Sequence, residues 1–163
     1  MEEIEVVQTT AETTQDDFTF RLVSEKEQYK VGEEVVLYGE IFYQGKKEEV
    51  TINHSSSAVF FHIIEEMRSY DIDYAVQDIG VSTMLQKLGE PHKEQYKKSG
   101  NYSPGDSPKE FITFMENFLE EDGFPAGHYT VKGITDFSYA PDDDSEQQEH
   151  INLEAMIDFK VVE

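Results

Sequence analysis

The chain has 163 residues and no cysteine, and its 35 acidic and 13 basic side chains give a formal charge of −22. The length fits one domain with a two-layer core, and the missing thiols exclude disulfides, cysteine nucleophiles and thiolate metal sites. Such a negative field repels phosphate backbones, so nucleic-acid binding is not expected. No apolar run approaches the ~18 residues of a membrane span, so direct membrane insertion is not expected either.

Residues 1–16 are acidic and rich in threonine, with one short apolar island at Ile4, Val6 and Val7. Such a segment buries too little apolar surface to offset its ordering entropy, which predicts a disordered tether ahead of a domain at residues 17–163. Acidic tethers are typical of the stretch that follows an export signal or lipid anchor, and also of any frayed terminus.

Period-two alternation of apolar residues begins the domain and predicts a first strand at residues 18–22. A turn at residues 29–33 leads into an apolar-rich strand at residues 34–43, where Gly39 indicates a bulge or a close backbone approach. A loop containing glycine then precedes a third strand at residues 50–54. The last two strands are predicted to form a hairpin.

The next apolar run, residues 59–64, is apolar on both faces except at His62. This pattern favours a strand in the middle of a sheet or beneath a covering loop. A spacing of two at residues 72–76 predicts a short fifth strand. Residues 77–108 show no sustained periodicity, and we interpret them as a long insertion that lies over one sheet.

Two readings of residues 107–119 compete. Ser107 at the N-cap, Pro108 at the first helical position and Glu110 form a capping-box signature, and the apolar spacing that follows is helical. Read as a strand, the same apolar residues alternate. The helix is favoured, and the strand stays open as the alternative.

The clearest alternation lies near the end of the chain. A turn containing Pro125 and Gly127 opens a strand that runs to Phe137, and residues 151–161 alternate for eleven positions. Consecutive strands are usually neighbours, so these two are predicted to pair as an antiparallel hairpin. The spacing of strands and turns predicts an all-β, antiparallel β-sandwich.

Four stretches carry a family resemblance: Tyr29-Lys-Val-Gly-Glu33, Val59–Ile64 followed by Tyr70-Asp-Ile72, Ser103-Pro-Gly-Asp106, and Pro125-Ala-Gly-His-Tyr-Thr-Val-Lys-Gly133. In this order they resemble the bacterial intracellular proteinase inhibitor family, the BsuPI-like domains. The resemblance spans about Phe18 to Phe137 and implies an immunoglobulin-like β-sandwich. It also implies a strand at residues 110–118 and, through the family's name, proteinase inhibition.

Carboxylates are concentrated in one polar loop before the last strand, at Asp142, Asp143, Asp144 and Glu146. Oxygen ligands of this kind are the ones that Ca²⁺ prefers, so the loop is a candidate calcium site. The glycine turn and the twelfth-position glutamate of an EF-hand are missing, and a solvated hairpin loop is the alternative.

The histidines and serines suggest chemistry that their spacing does not support. The five histidines, at positions 54, 62, 92, 128 and 150, form no His-x-His or His-x-x-x-His pair, so satisfied or exposed histidines are favoured over a zinc site. Residues 53–57 place serine hydroxyls beside an imidazole. Because no Gly-x-Ser-x-Gly elbow is present, we expect them to cap backbone groups rather than to catalyse.

Tyrosines and lysines in and around the insertion are the candidate interaction residues, because tyrosine is a favoured contact residue in protein interfaces. They are Tyr70, Tyr74, Tyr96, Tyr102, Lys97 and Lys98. In the alternative, these rings cover the open face of the sandwich. The sequence therefore predicts a non-enzymatic module that binds a protein partner and needs no cofactor. We expect this module to be exported or surface-anchored. The alternatives are a cytosolic proteinase inhibitor and a Ca²⁺-dependent binding domain.

Overall fold

The computed structural model describes residues 4–72, 74, 77–98, 105, 107–141 and 147–163. Within these ranges the secondary structure is almost entirely β. The strands are β1 (Thr10–Gln15), β2 (Phe18–Ser24), β3 (Gln28–Lys30), β4 (Leu37–Tyr43), β5 (Glu49–His54), β6 (Val59–Glu65), β7 (Tyr70–Ile72), β8 (Val81–Gln86), β9 (His92–Gln95), β10 (Gly127–Thr135), β11 (Phe137–Tyr139), β12 (Glu149–Ile151) and β13 (Glu154–Val162). One helix, α1, spans Lys109–Glu120. No described helix is long and apolar enough to cross a membrane.

The strands form three sheets. Sheet A has the order β1-β2-β4-β9, sheet B has β3-β13-β10-β6-β7, and sheet C has β12-β11-β5-β8. The described strand pairs are antiparallel apart from β3 and β13, which run parallel. This architecture is an all-β sandwich, as the sequence predicts.

Sheet C continues sheet B around a bend, and sheet A packs against both. Only Asp136 separates β10 from β11, and its N–H donates to the carbonyl of Ala58 at the corner (2.9 Å). The Phe18 ring of sheet A lies 5.0 Å from the Phe137 ring of sheet C. Sheet A also approaches sheet B closely at Gly133, where an added Cβ would lie 2.9 Å from a Leu22 methyl group. Apolar faces on both layers therefore share one core.

The period-two pattern sets which side chains enter that core. On β10, Tyr129 and Val131 are fully buried, whereas Thr130 and Lys132 between them point outward. Val131 pairs with Ile157 of β13, which confirms the predicted antiparallel pairing of these two segments. Gly39 marks a close approach, as predicted: a Cβ there would lie 2.8 Å from the Phe20 ring.

The predicted hairpin between β4 and β5 is wrong. Residues 44–48 do not close a hairpin, because β4 lies in sheet A while β5 pairs with β8 and β11 in sheet C. Each strand has one buried face, and crossing between layers places those faces opposite each other across the core. The predicted strand at residues 72–76 overlaps β7 at Ile72, where β7 ends; Tyr74 is not in a strand, and residues 73, 75 and 76 lie outside the described residues.

The predictions for the two polar segments also need correction. Thr10–Gln15 was expected in a disordered tether but forms β1, whose Ala11 and Thr13 pair with Leu22 and Phe20. Backbone pairing along the edge of sheet A orders this mostly exposed segment, and composition does not report such pairing. Residues 77–98, expected in a long loop, contain β8 and β9.

Residues 109–120 form a helix, not the strand implied by the family resemblance. The predicted capping box is absent: Pro108 occupies the cap position and no side chain caps the helix start. Helical spacing buries Phe114, Met115 and Phe118 against one end of the sandwich. Tertiary packing of this apolar face, more than local capping, therefore holds the helix.

Candidate interaction edge and polar clusters

The tyrosines predicted to form a contact surface lie in an aromatic cluster. Tyr96 is only 5% exposed, and its ring lies 5.5 Å from Phe61 and 5.8 Å from Tyr74. Tyr70 is half-buried against Phe111 of the helix. Tyr96 is thus not accessible to a partner, because it fills the space between the helix and the sheets. These contacts agree with the alternative in which the rings cover the sandwich. Tyr102 lies outside the described residues.

The two predicted lysines differ in what they contact. Lys97 is exposed, whereas the Lys98 ammonium donates to the carbonyl oxygens of Phe118 and Glu121 (both 2.5 Å) and to that of Gly123. The last turn of α1 contains no basic residue of its own, so Lys98 supplies the positive charge that a helix C-terminus favours. Burial lowers the pKa of Lys98, an effect partly opposed by nearby carboxylates.

The predicted calcium ligands Asp142, Asp143, Asp144 and Glu146 lie outside the described residues, and the calcium site therefore stays a prediction. Elsewhere in the described ranges, no group of three or more His, Asp or Glu side chains is arranged to hold a metal ion.

Each of the five histidines has a hydrogen-bonding partner. Four lie beside a single carboxylate: His62 beside Asp71, His92 beside Glu94, His128 beside Asp158 and His150 beside Asp136. His54 lies 2.6 Å from the carbonyl oxygen of Ser55 and 2.8 Å from the hydroxyl of Thr83. The prediction of satisfied histidines agrees with these contacts.

Glu94 organises the most connected polar cluster. Its carboxylate accepts hydrogen bonds from the N–H of Ala58 (2.8 Å) and from the Ser57 hydroxyl, and it lies 2.6 Å from His92 Nε2. Burial alone would raise the pKa of Glu94, but the hydrogen bonds from His92, Ser57 and Ala58 together hold it below its usual value. The carboxylate therefore fixes the corner between β5 and β6.

The serines of this corner are engaged with the backbone. Ser55 donates to the carbonyl of Ser57 (3.1 Å), and the Ser57 hydroxyl also lies 2.6 Å from the carbonyl of Val59. A nucleophilic serine needs a hydroxyl that a base can deprotonate toward a substrate. Ser57 is buried, and its hydroxyl contacts a carboxylate and a carbonyl. This arrangement caps a turn, as the sequence predicts.

A second carboxylate fastens the start of the chain to sheet B. Asp158 accepts the N–H groups of Val7 (2.9 Å) and Gln8 (3.0 Å), and it lies 2.9 Å from His128 Nε2. The backbone N–H of Asp158 donates to the Gln8 carbonyl (2.9 Å). Residues 7 and 8 therefore cover part of the β13 edge that β3 leaves unpaired.

Among the residues that the structure describes, none covers the edge strand β8 in this way. It is the last strand of sheet C and pairs with β5 alone. The Lys87 N–H donates to Glu48 next to β5 (2.9 Å). Because backbone groups alternate along a strand, the N–H and C=O groups of Ser82, Met84 and Gln86 point to the open edge.

Large apolar side chains are exposed in and beside this strand. Four of the nine exposed large hydrophobics among the described residues fall within ten positions: Ile79 (54% exposed), Val81 (38%), Met84 (58%) and Leu88 (82%). None of the six residues of β8 is charged, although charged residues make up 29% of the chain. Natural edge strands usually carry a lysine, a proline or a bulge that discourages pairing. We call residues 79–88 the β8 edge.

The outer face of sheet C beside the β8 edge is polar, and Lys47, Glu48 and Glu49 place charged residues at one end of it. Ser82 donates to Asn53 (2.7 Å), and Asn53 donates to Gln148 (3.2 Å). A shallow hollow of about 580 Å³ lies on this side of the molecule, between the β5 residues Thr51 and Asn53 and the opposite Ala140 and Gln148. The β8 edge is thus continuous with a polar, open face.

Sequence reasoning missed β8, although a signal was present. Val81, Thr83 and Leu85 alternate with Ser82, Met84 and Gln86, and only Leu85 of the six is buried. A strand with one buried residue gives a short alternation that the surrounding glycines and polar residues obscure.

Comparison with known proteins assigns no family. No protein-family model matches the chain, and no curated protein matches it in sequence. The resemblance to the BsuPI-like domains and the implied proteinase inhibition stay predictions.

Proposed function

We propose that the chain is a non-enzymatic protein-interaction module and that the β8 edge is its contact surface. The observation that carries the proposal is an uncharged, unpaired edge strand with exposed apolar side chains in a chain of charge −22. Open strand edges bind other chains by strand addition, in which backbone hydrogen bonds supply affinity and outward side chains supply specificity.

The polar clusters support the non-enzymatic part of the proposal. Glu94 and Asp158 each accept backbone N–H groups, and Lys98 binds backbone carbonyls. Charged groups engaged in this way hold the fold together, whereas catalysis needs groups that face a substrate.

Site-specific photocrosslinking tests the surface. A photoreactive amino acid replaces Met84 in the full chain, expressed in the source organism and irradiated in intact cells. The matched control replaces Met156 on the outer face of sheet B, which is 51% exposed against 58% for Met84. We expect adducts of defined mass from position 84 and none above background from position 156. Equal labelling at both positions, or none at position 84, would contradict the proposal.

The proposed location, exported or at the cell surface, rests on the acidic composition of residues 1–16 alone, of which Thr10–Gln15 form β1 rather than a tether. Cell fractionation checks it: recovery from the cytosol only would favour the alternative of a cytosolic proteinase regulator. That alternative predicts slower turnover by serine proteinases mixed with the chain, and unchanged rates would contradict it.

A further inference from the structure

We infer that the β8 edge binds a second copy of this chain, with the two β8 strands antiparallel and centred on Met84. The inference rests on the proposed function, because it names the partner of the same surface. The dimer would join two copies of sheet C into one continuous sheet.

Backbone geometry selects the register. A two-fold axis normal to the sheet keeps the buried faces of both copies on the same side, so facing residues have the same parity. The groups that point to the open edge belong to Ser82, Met84 and Gln86, because Lys87 points to β5. Centring on Met84 uses all three: Met84 faces Met84 of the second copy, and Ser82 faces Gln86.

Between Ser82 and Gln86 the side chains fit this register without a charge at the contact, and Lys87 just beyond them faces Val81 of the second copy. On the outer face, the two Met84 side chains meet, and each Ser82 lies beside a Gln86 amide. On the inner face, Thr83 lies opposite Leu85 of the second copy. Cross-strand neighbours of this kind interact favourably, whereas like charges directly opposed repel. The β8 edge is therefore a place where two strongly acidic molecules approach without opposing carboxylates.

The flanking apolar residues add to the match. Ile79 lies five residues before Met84 and Leu88 four residues after it. An antiparallel arrangement brings the Ile79 end of one copy to the Leu88 end of the other. Both exposed apolar side chains would thereby lie at the same end of the joined strands.

A second copy is favoured over an extended segment of a basic partner. The chain's charge attracts basic segments to the molecule as a whole, but β8 itself offers no carboxylate to pair with a lysine or arginine. An uncharged strand pairs best with another uncharged strand, and the β8 strand of a second copy is such a strand.

Sedimentation equilibrium of the full chain tests the inference, with Met84→Lys as the variant and Thr51→Lys as its matched control. Thr51 faces Met84 on β5 and is also exposed, so the control adds the same charge to the same outer face away from the edge. We expect a monomer–dimer equilibrium that tightens between low and high salt, since salt screens the repulsion between acidic copies. Met84→Lys should weaken dimerisation about tenfold or more, because two ammonium groups would face each other.

A crosslinking experiment tests the register. The chain has no cysteine, so Met84→Cys introduces a single thiol. A short bis-maleimide should convert Met84→Cys to a covalent dimer much faster than Thr51→Cys. Equal rates would overturn the register.

A monomer at all concentrations and salts, or equal weakening by Met84→Lys and Thr51→Lys, would overturn the inference. If the chain is monomeric but position 84 photocrosslinks to another protein in cells, the second copy is excluded and the proposed function stands. If position 84 crosslinks to nothing, both fail.

Discussion

β8 and β9 come from the same stretch of sequence but differ in how many side chains attach them to the rest of the fold. Each is the last strand of its sheet, β8 in sheet C and β9 in sheet A. On β9, Glu94 reaches across to the β5–β6 corner, and the buried Tyr96 follows directly. On β8, only Leu85 is buried, and the polar side chains contact neighbouring β5.

Side-chain contacts therefore hold an edge strand in place as much as its backbone hydrogen bonds to the neighbouring strand do. β9 continues into Tyr96 and Lys98, which connect sheet A to the helix through the aromatic cluster and the helix C-terminus. β8 pairs through its backbone with β5 and buries one side chain, Leu85. We therefore expect changes in the β9 segment to affect folding and changes at the open edge of β8 to affect association.

The largest effect is expected at Glu94. Glu94→Ala removes the acceptor of the Ala58 N–H and of the Ser57 hydroxyl, both in a buried corner. Leaving the Ala58 N–H without this acceptor, and the Ser57 hydroxyl with the Val59 carbonyl alone, should lower the free energy of unfolding by about 2–4 kcal/mol, measured by urea denaturation. Gln95→Ala is the control, since Gln95 is exposed on the same strand. A Glu94→Ala cost no greater than that of Gln95→Ala would show that the corner does not depend on this carboxylate.

The contribution of Glu94 should also depend on pH. Its pKa is lower in the folded state than in the unfolded chain, so the folded state favours the ionised form. The stabilisation is present above the unfolded pKa of about 4.3 and is lost as pH falls through the lower folded pKa. We expect the difference in unfolding free energy between wild type and Glu94→Ala to shrink below about pH 4. Because Asp158 titrates in both proteins, its contribution cancels. A constant difference down to pH 3 would contradict this assignment.

A smaller effect is expected at the end of the β9 segment. Lys98→Met keeps an unbranched apolar side chain but removes the ammonium from three carbonyls and from the Phe118 and Phe124 rings. We expect a loss of about 1–2 kcal/mol in unfolding free energy and faster amide exchange in the last turn of α1. Lys97→Met, at an exposed neighbour, should cost less than about 0.5 kcal/mol. Equal costs would mean that Lys98 does not cap the helix.

The sequence predicted the elements that have one fully buried face. The strand beginning at Phe18 and the β10 and β13 pair alternate in sequence, because a half-buried strand needs an apolar residue at every second position. The run beginning at Val59 is apolar on both faces except at His62, and its apolar composition rather than alternation predicted β6. The apolar spacing after Pro108 likewise indicated the helix. In each case, burial leaves a periodic trace in the sequence.

Elements ordered by backbone pairing or by distant side chains leave no such trace. β1 is mostly exposed and is held by its ladder to β2. Glu94 accepts hydrogen bonds from residues more than 30 positions away in sequence, so no local pattern of residues predicts that it fixes the β5–β6 corner. The crossing from β4 to β5 looked like a hairpin because turn residues specify a reversal but not the sheet that the next strand joins. The β8 edge was missed because an edge is open only where no other strand pairs with it, and the sequence of the strand does not show which strands pair.

The smallest effect on folding is expected at the β8 edge itself. Met84→Lys changes a side chain that is 58% exposed, on the outer face of the strand. In dilute protein, where the chain is monomeric, the free energy of unfolding should change by less than about 0.5 kcal/mol. Leu85→Ala, one residue along, truncates a side chain that is 3% exposed and should cost about 2–3 kcal/mol. If Met84→Lys cost as much as Leu85→Ala, Met84 would be packed within the folded monomer, and β8 would resemble β9 rather than an open edge.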